Sequence, residues 1–222
     1  MLKLKVLCIP GWNESCCIFN KIEKELSDYF EFIYVELPGF SSNPLPPKAF
    51  YPKDYAIYIN NLINEDIDLI LAHSYGGKVA MEYYKMFKKV KMILLAPSII
   101  KPKKNILTKI RIIKYKILKK LNLLKKNKEY GSEDYKNAKG IMKQVFINAI
   151  NTYYDDEFSK IEDEVLLIYG KKDKQTPLKE GKRIKKKIKH ASLLSIDGDH
   201  FALINNPRVI IKNIYKFGRK IL

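Results

Sequence analysis

Six short runs of mostly apolar residues, many of them β-branched, recur along the chain: residues 6–9, 32–37, 69–72, 92–95, 165–169 and 193–196. A strand with one face in water alternates apolar and polar side chains, whereas a continuous apolar strand is covered on both faces. Strands of that kind belong to largely parallel sheets, and parallel neighbours require crossover helices. The intervals supply them, because residues 17–29, 55–63, 78–87, 178–188 and 207–217 carry apolar residues at helical spacing. The expected fold class is therefore α/β, a mostly parallel twisted sheet flanked by helices. With 222 residues, 46% of them hydrophobic, and no Pro/Gly/Ser-rich break, residues 1–222 read as one domain.

One interval breaks this rhythm. The roughly seventy residues between Leu95 and Val165 exceed what a single crossover needs, so residues 98–162 are read as a helical cap insertion. Within it Ile106, Ile110, Ile113, Ile117, Leu121 and Leu124 recur at three- and four-residue steps with lysines between them, which describes an amphipathic basic helix. A second helical pattern covers residues 138–150, behind a turn and cap at Gly131-Ser132-Glu133-Asp134.

Charge bears on what that insertion does. The net charge is +18, and twelve basic residues fall between Lys101 and Lys128 with no acidic residue among them. The plain reading is a cap helix whose apolar stripe covers the active site while its lysines stay in water. Two functional readings stand beside it: a peripheral contact of residues 101–128 with an anionic membrane, or with an acidic carrier or polyanionic substrate. A nucleic-acid partner is not expected, since the chain has no Gly-rich phosphate loop, helix-turn-helix signature or interleaved basic and aromatic pattern.

Cys8, Cys16 and Cys17 are odd in number and lack both disulfide-framework and zinc-ligand spacing, which suits a reducing compartment. The first ten residues have no long apolar core or small-residue cleavage site, and no run reaches membrane-spanning length. A cytoplasmic location is the resulting expectation.

The chemistry concentrates in Leu69-Ile-Leu-Ala-His-Ser-Tyr-Gly-Gly77. A buried strand runs straight into Ser74 and a helix follows from about Lys78, the arrangement of a nucleophile elbow that lifts a serine hydroxyl above the sheet. Such a turn needs small residues two positions before and after the serine, here Ala72 and Gly76. The backbone N–H of Tyr75, immediately after the serine, is placed to receive a developing oxyanion.

Ile9-Pro-Gly-Trp12, Leu37-Pro-Gly-Phe40, Ala72-His-Ser-Tyr-Gly-Gly77, Gly170-Lys-Lys-Asp-Lys-Gln-Thr-Pro177 and Gly198-Asp-His-Phe201 follow one another in order. On these motifs the chain resembles the α/β-hydrolase superfamily over nearly its whole length, in the branch of small single-domain serine hydrolases and esterases with a helical cap. Ala72 and Pro10 depart from the glycine and histidine common at those positions. The resemblance implies the order Ser, acid, His along the chain.

Of the three histidines, His73 is adjacent to Ser74 and suits local packing, and His190 lies among lysines. His200 follows the last strand and matches the family's catalytic histidine. Asp173, after the fifth strand, matches the family's acid. Asp197 and Asp199 suit a turn, with Asp199 the second candidate. The second oxyanion donor implied is the backbone N–H of Trp12.

The function implied is hydrolysis of a carboxylic ester or thioester through an acyl-enzyme, with a small-molecule ester-like substrate and no cofactor or metal. Carbon–carbon bond hydrolysis and aminopeptidase activity use the same fold, and a non-catalytic ligand-binding or membrane-docking protein is the rival from another class.

Overall fold

Each of the six apolar runs becomes a strand: β1 (Leu4–Ile9), β2 (Phe30–Tyr34), β3 (Leu69–His73), β4 (Lys91–Leu95), β5 (Val165–Gly170) and β6 (Ala191–Ile196). The computed structural model describes residues 3–103, 117–118, 121 and 132–220. All strand pairs are parallel, and the sheet runs β2-β1-β3-β4-β5-β6. The crossover helices are α1 (Asn20–Leu26), α2 (Pro52–Leu62), α3 (Gly76–Met86), α4 (Glu133–Asn137), α5 (Gly140–Asn151) and α6 (Leu178–Lys185), and α7 (Ala202–Asn205) and α8 (Arg208–Gly218) follow the last strand.

For β1, β3, β4 and β5, burial on both faces explains why the runs lack alternation, while the edge strands β2 and β6 are largely half-buried. Leu7, Ile9, Ile70, Met92, Leu94 and Leu167 belong to one core, with Tyr55 and Ile59 of α2, Val79 of α3, Val145 of α5 and Ile184 of α6. Val6, Cys8, Leu69, Leu71, Ile93 and Ile168 belong to the other, with Ile22 and Leu26 of α1 and Ile210, Ile214 and Phe217 of α8. Successive strand residues thus serve opposite cores, and each fully buried aliphatic side chain contributes on the order of 1.5–3 kcal/mol.

Two boundaries differ from the sequence expectation. The second strand was expected over residues 32–37, but pairing with β1 sets it at Phe30–Tyr34, from Leu4↔Phe30 to Cys8↔Tyr34. Val35 to Leu37 then leave the sheet toward Gly39, whose positive φ of 79° turns the chain away. The first helix was expected over residues 17–29. It divides into a 3-10 turn, Cys16–Phe19, and α1, which ends where the Tyr29 N–H donates to the Leu26 carbonyl and the chain bends into β2.

Between β4 and β5, α4 is capped by Ser132, whose side chain accepts from the Tyr135 N–H, as the turn motif there anticipates. α5 covers the second helical pattern, and apart from residues 117–118 and 121, where Ile117 and Leu121 are exposed, the proposed basic amphipathic helix lies outside the described residues. The two ends of the interval are tied together: the Tyr154 N–H donates to the Ile99 carbonyl at 3.0 Å and the Lys101 N–H to Asp155 Oδ2 at 2.8 Å.

Candidate active site

Ser74 stands at the carboxyl end of β3 with φ at +48°, in the left-handed region that costs a non-glycine residue of order 1 kcal/mol or more. Its backbone is held on both sides. The Ser74 N–H donates to Leu95 O at 2.9 Å, while its carbonyl accepts from Gly77 and Ser98 N–H, each at 3.1 Å. Gly76 is needed for a steric reason, since a Cβ there would lie 2.4 Å from Ile9 O and 2.5 Å from Pro10 O. The start of α3 therefore sits directly against the end of β1 and the loop carrying Trp12.

His200 and Asp173 reach the same place from the ends of β6 and β5. His200 Nε2 is 3.0 Å from Ser74 Oγ, and His200 Nδ1 is 2.7 Å from Asp173 Oδ2. An ionised carboxylate only accepts, so Nδ1 carries the proton and Nε2 presents its lone pair to the serine hydroxyl. The two supporting loops are joined by Lys171 N–H to Ile196 O at 2.8 Å and Lys172 N–H to Gly198 O at 2.9 Å. They approach so closely at Gly170 that a Cβ would fall 2.4 Å from Gly198 O.

The Asp173 carboxylate is buried. Burial alone would raise its pKa, but hydrogen bonds from His200 and Thr176 outweigh that and hold it below the usual carboxylate value. Oδ1 accepts from Gln175 and Thr176 N–H at 2.8 and 2.9 Å. Thr176 Oγ1 is 2.8 Å from Oδ2 and 3.0 Å from Ala96 O, and its single proton serves one of them at a time. Asp199 instead caps the following turn, its Oδ1 accepting from Phe201 and Ala202 N–H, and Asp197 pairs with Lys172 at 2.9 Å.

His73 is fully buried beside this line. Its Nδ1 lies 2.8 Å from Glu14 Oε2 and its Nε2 3.3 Å from the His200 carbonyl. Glu14 Oε2 also accepts from the Gly11 N–H at 2.7 Å. One carboxylate thereby braces the loop after β1, where this chain has Pro10 in place of a histidine. Trp12 packs edge-on to Phe40, Tyr75 and Phe146 at centroid distances of 5.0, 5.7 and 4.9 Å. Among the described residues, neither the Trp12 nor the Tyr75 N–H donates to a protein acceptor.

Ser74, Trp12 and Tyr75 open onto a cavity of about 230 Å³ that Lys78, Tyr153 and Glu180 also line. The match to the Alpha/beta hydrolase family, over residues 6–211, decides what this assembly is part of. The chain belongs to the α/β hydrolase family. It is an enzyme of the hydrolase class, and its parallel six-stranded sheet is that family's frame.

One curated relative, a pimeloyl-acyl carrier protein methyl ester esterase from Pseudoalteromonas atlantica, is 34% identical over 73 residues. That stretch is 32% of this hydrolase and spans only 28% of the relative. An esterase from Exiguobacterium antarcticum superposes with a TM-score of 0.75 at 18% identity, covering 97% of this chain and 92% of that one. A meta-cleavage product hydrolase from Pseudomonas fluorescens IP01 superposes at 0.71 and 15% identity, covering 99% and 92%. At such identities the two structures speak for the shared fold.

Sequence reasoning did not single out Glu14, Thr176, Lys78 or Glu180 at the site. Thr176 had a local signal, since an aspartate followed three residues later by a threonine commonly closes a side-chain turn. Glu14 and Glu180 had none, because His73, which Glu14 holds, and the cavity that Glu180 lines come from distant segments.

Proposed function

We propose that this α/β hydrolase is a serine hydrolase that cleaves a carboxylic ester or thioester of a small-molecule substrate. The observation that carries the reading is the continuous line from Ser74 Oγ through the His200 imidazole to the Asp173 carboxylate, with contacts of 3.0 and 2.7 Å. Ser74 Oγ attacks the carbonyl carbon as its proton passes to His200 Nε2, and Asp173 stabilises the resulting imidazolium. Collapse breaks the bond to the leaving group, which departs as an alcohol or thiol with the proton from His200. Water then attacks the acyl-serine, gives a proton to His200, and releases a carboxylic acid and free Ser74.

The oxyanion donors in this reading are the backbone N–H groups of Trp12 and Tyr75. Their lack of protein acceptors and the direct seat of α3 on the Trp12 loop support it. Residues 98–162 act as the cap in the same reading, with α5 already covering the cavity through Phe146 and Ala149. An ester as the bond cleaved is supported by the curated relative's name. The three cysteines are free, in keeping with a cytoplasmic setting. Among the described residues no helix is long and apolar enough to cross a membrane.

Labelling with a fluorophosphonate, followed by mass mapping, tests the nucleophile. The expected result is one adduct at Ser74, with turnover of graded p-nitrophenyl esters and acyl thioesters lost in Ser74→Ala. Full activity in that variant removes Ser74 from the mechanism.

A further inference from the structure

Besides the exposed Asp134 and two tyrosines, a buried lysine and a buried carboxyl group line the cavity beside Ser74 and take no part in the proton relay. Lys78, one helical turn beyond the nucleophile, and Glu180, in the first turn of α6, are 3% and 5% exposed. The Lys78 ammonium donates to the Thr152 carbonyl and lies 4.5 Å from the centre of the Tyr153 ring, which leaves part of its donor capacity unspent among the described residues. The Glu180 carboxylate makes no side-chain hydrogen bond or ion pair among them. Burial pushes Lys78 down to about 7 and Glu180 upward. The two charges favour each other, and Arg183 and Lys179 favour the Glu180 carboxylate, yet burial outweighs these attractions at both groups, and such groups are costly to retain for packing alone.

The pair discriminates among occupants by elementary electrostatics. An alkyl end would strip remaining water from both groups and return no hydrogen bond. A carboxylate would be attracted by Lys78 but repelled by Glu180 on the same cavity wall, and an ammonium would meet the reverse. A neutral group with both a donor and an acceptor satisfies both walls, its oxygen accepting from Lys78 Nζ and its N–H or O–H donating to Glu180.

We propose that Lys78 and Glu180 are specificity-determining residues that select a substrate whose group in this cavity carries a neutral amide or hydroxyl. This rests on the hydrolase reading above, in which substrate enters beside Ser74.

The test uses the full chain and three p-nitrophenyl esters of equal acyl length ending in methyl, carboxamide or carboxylate. The wild type is expected to favour the carboxamide ester in kcat/KM by about tenfold or more over each of the others, the size of one hydrogen bond to a charged partner. In Lys78→Met and Glu180→Met, checked for folding by circular dichroism, the advantage over the methyl ester falls to about twofold or less. A wild type indifferent to the three endings, or an advantage intact in both folded variants, overturns the proposal.

A second measurement needs neither variants nor turnover. Hexanamide is expected to raise the Tm of wild-type protein more than hexanoate at equal concentration, and equal shifts or the opposite order count against the cavity assignment. Should no ester turn over and no fluorophosphonate label appear, the hydrolase reading fails, and the melting comparison decides the cavity on its own.

Discussion

At the scale of single residues, the site is a set of hydrogen bonds whose directions follow from what each atom can donate. Asp173 fixes which imidazole nitrogen bears the proton, so Asp173→Asn should lower kcat by about 10⁴-fold with the fold intact, the effect of a wrong tautomer in comparable triads. A loss under tenfold in stopped-flow or steady-state assays would take that role from Asp173.

Glu14 makes a different kind of contribution. One carboxylate holds the Gly11 N–H and His73, and His73 in turn faces the His200 carbonyl. Glu14→Gln weakens charge-assisted bonds in a half-buried setting and should reduce stability by about 1–3 kcal/mol. An unchanged urea midpoint would show the brace to be idle. That Ser74, His200 and Asp173 come together was legible in the sequence because each lies in a motif just past a strand end. Glu14 was not, since its meaning depends on His73, which comes to it only through the packing of β3 beside β1.

At the scale of elements, the strands were legible because burial on two faces leaves unbroken apolar runs. Their ends were less so: β2 takes its register from β1, which no local pattern in Phe32 to Leu37 encodes. The four-residue α7 is too short for any periodicity to announce it.

What the elements do for the chemistry is hold loops in mutual register, and the junction of the β5 and β6 ends is the tightest case. A Cβ on Gly170 would lie 2.4 and 2.6 Å from the backbone oxygens of Gly198 and Asp199, so one loop must move. Gly170→Ala should destabilise the fold by about 1–3 kcal/mol and, by displacing His200 from Ser74 by a fraction of the contact distance, lower kcat by about a hundredfold. Thermal melting and ester assays on the same preparation separate the two effects. A variant with wild-type turnover would show that the loops relax independently of the imidazole.

At the scale of the whole molecule, the buried Lys78 links stability to pH. Its pKa is about 7 in the folded chain against 10.5 as the ordinary value. Between those values the unfolded chain binds more protons than the native one, so stability rises with pH, by up to about 1.4 kcal/mol per unit from this group. Lys78→Met should flatten that rise, read as the difference between wild-type and variant urea midpoints at pH 7.5 and 9.5. Parallel curves would place the ammonium in a better-solvated setting.

The paired ends of the segment between β4 and β5 carry a last consequence. Because Tyr154 and Lys101 close that segment on itself where it leaves the sheet, the entropy of bringing its two ends together is largely met at its base, and further length adds only slowly to it. A span of another size or composition could be grafted between those two stalks while the sheet ends that carry Ser74, Asp173 and His200 keep their shape. In the hydrolase reading proposed above, what covers the cavity and what moves the proton are in that sense separable, and one can drift through insertions and replacements while the other stays fixed.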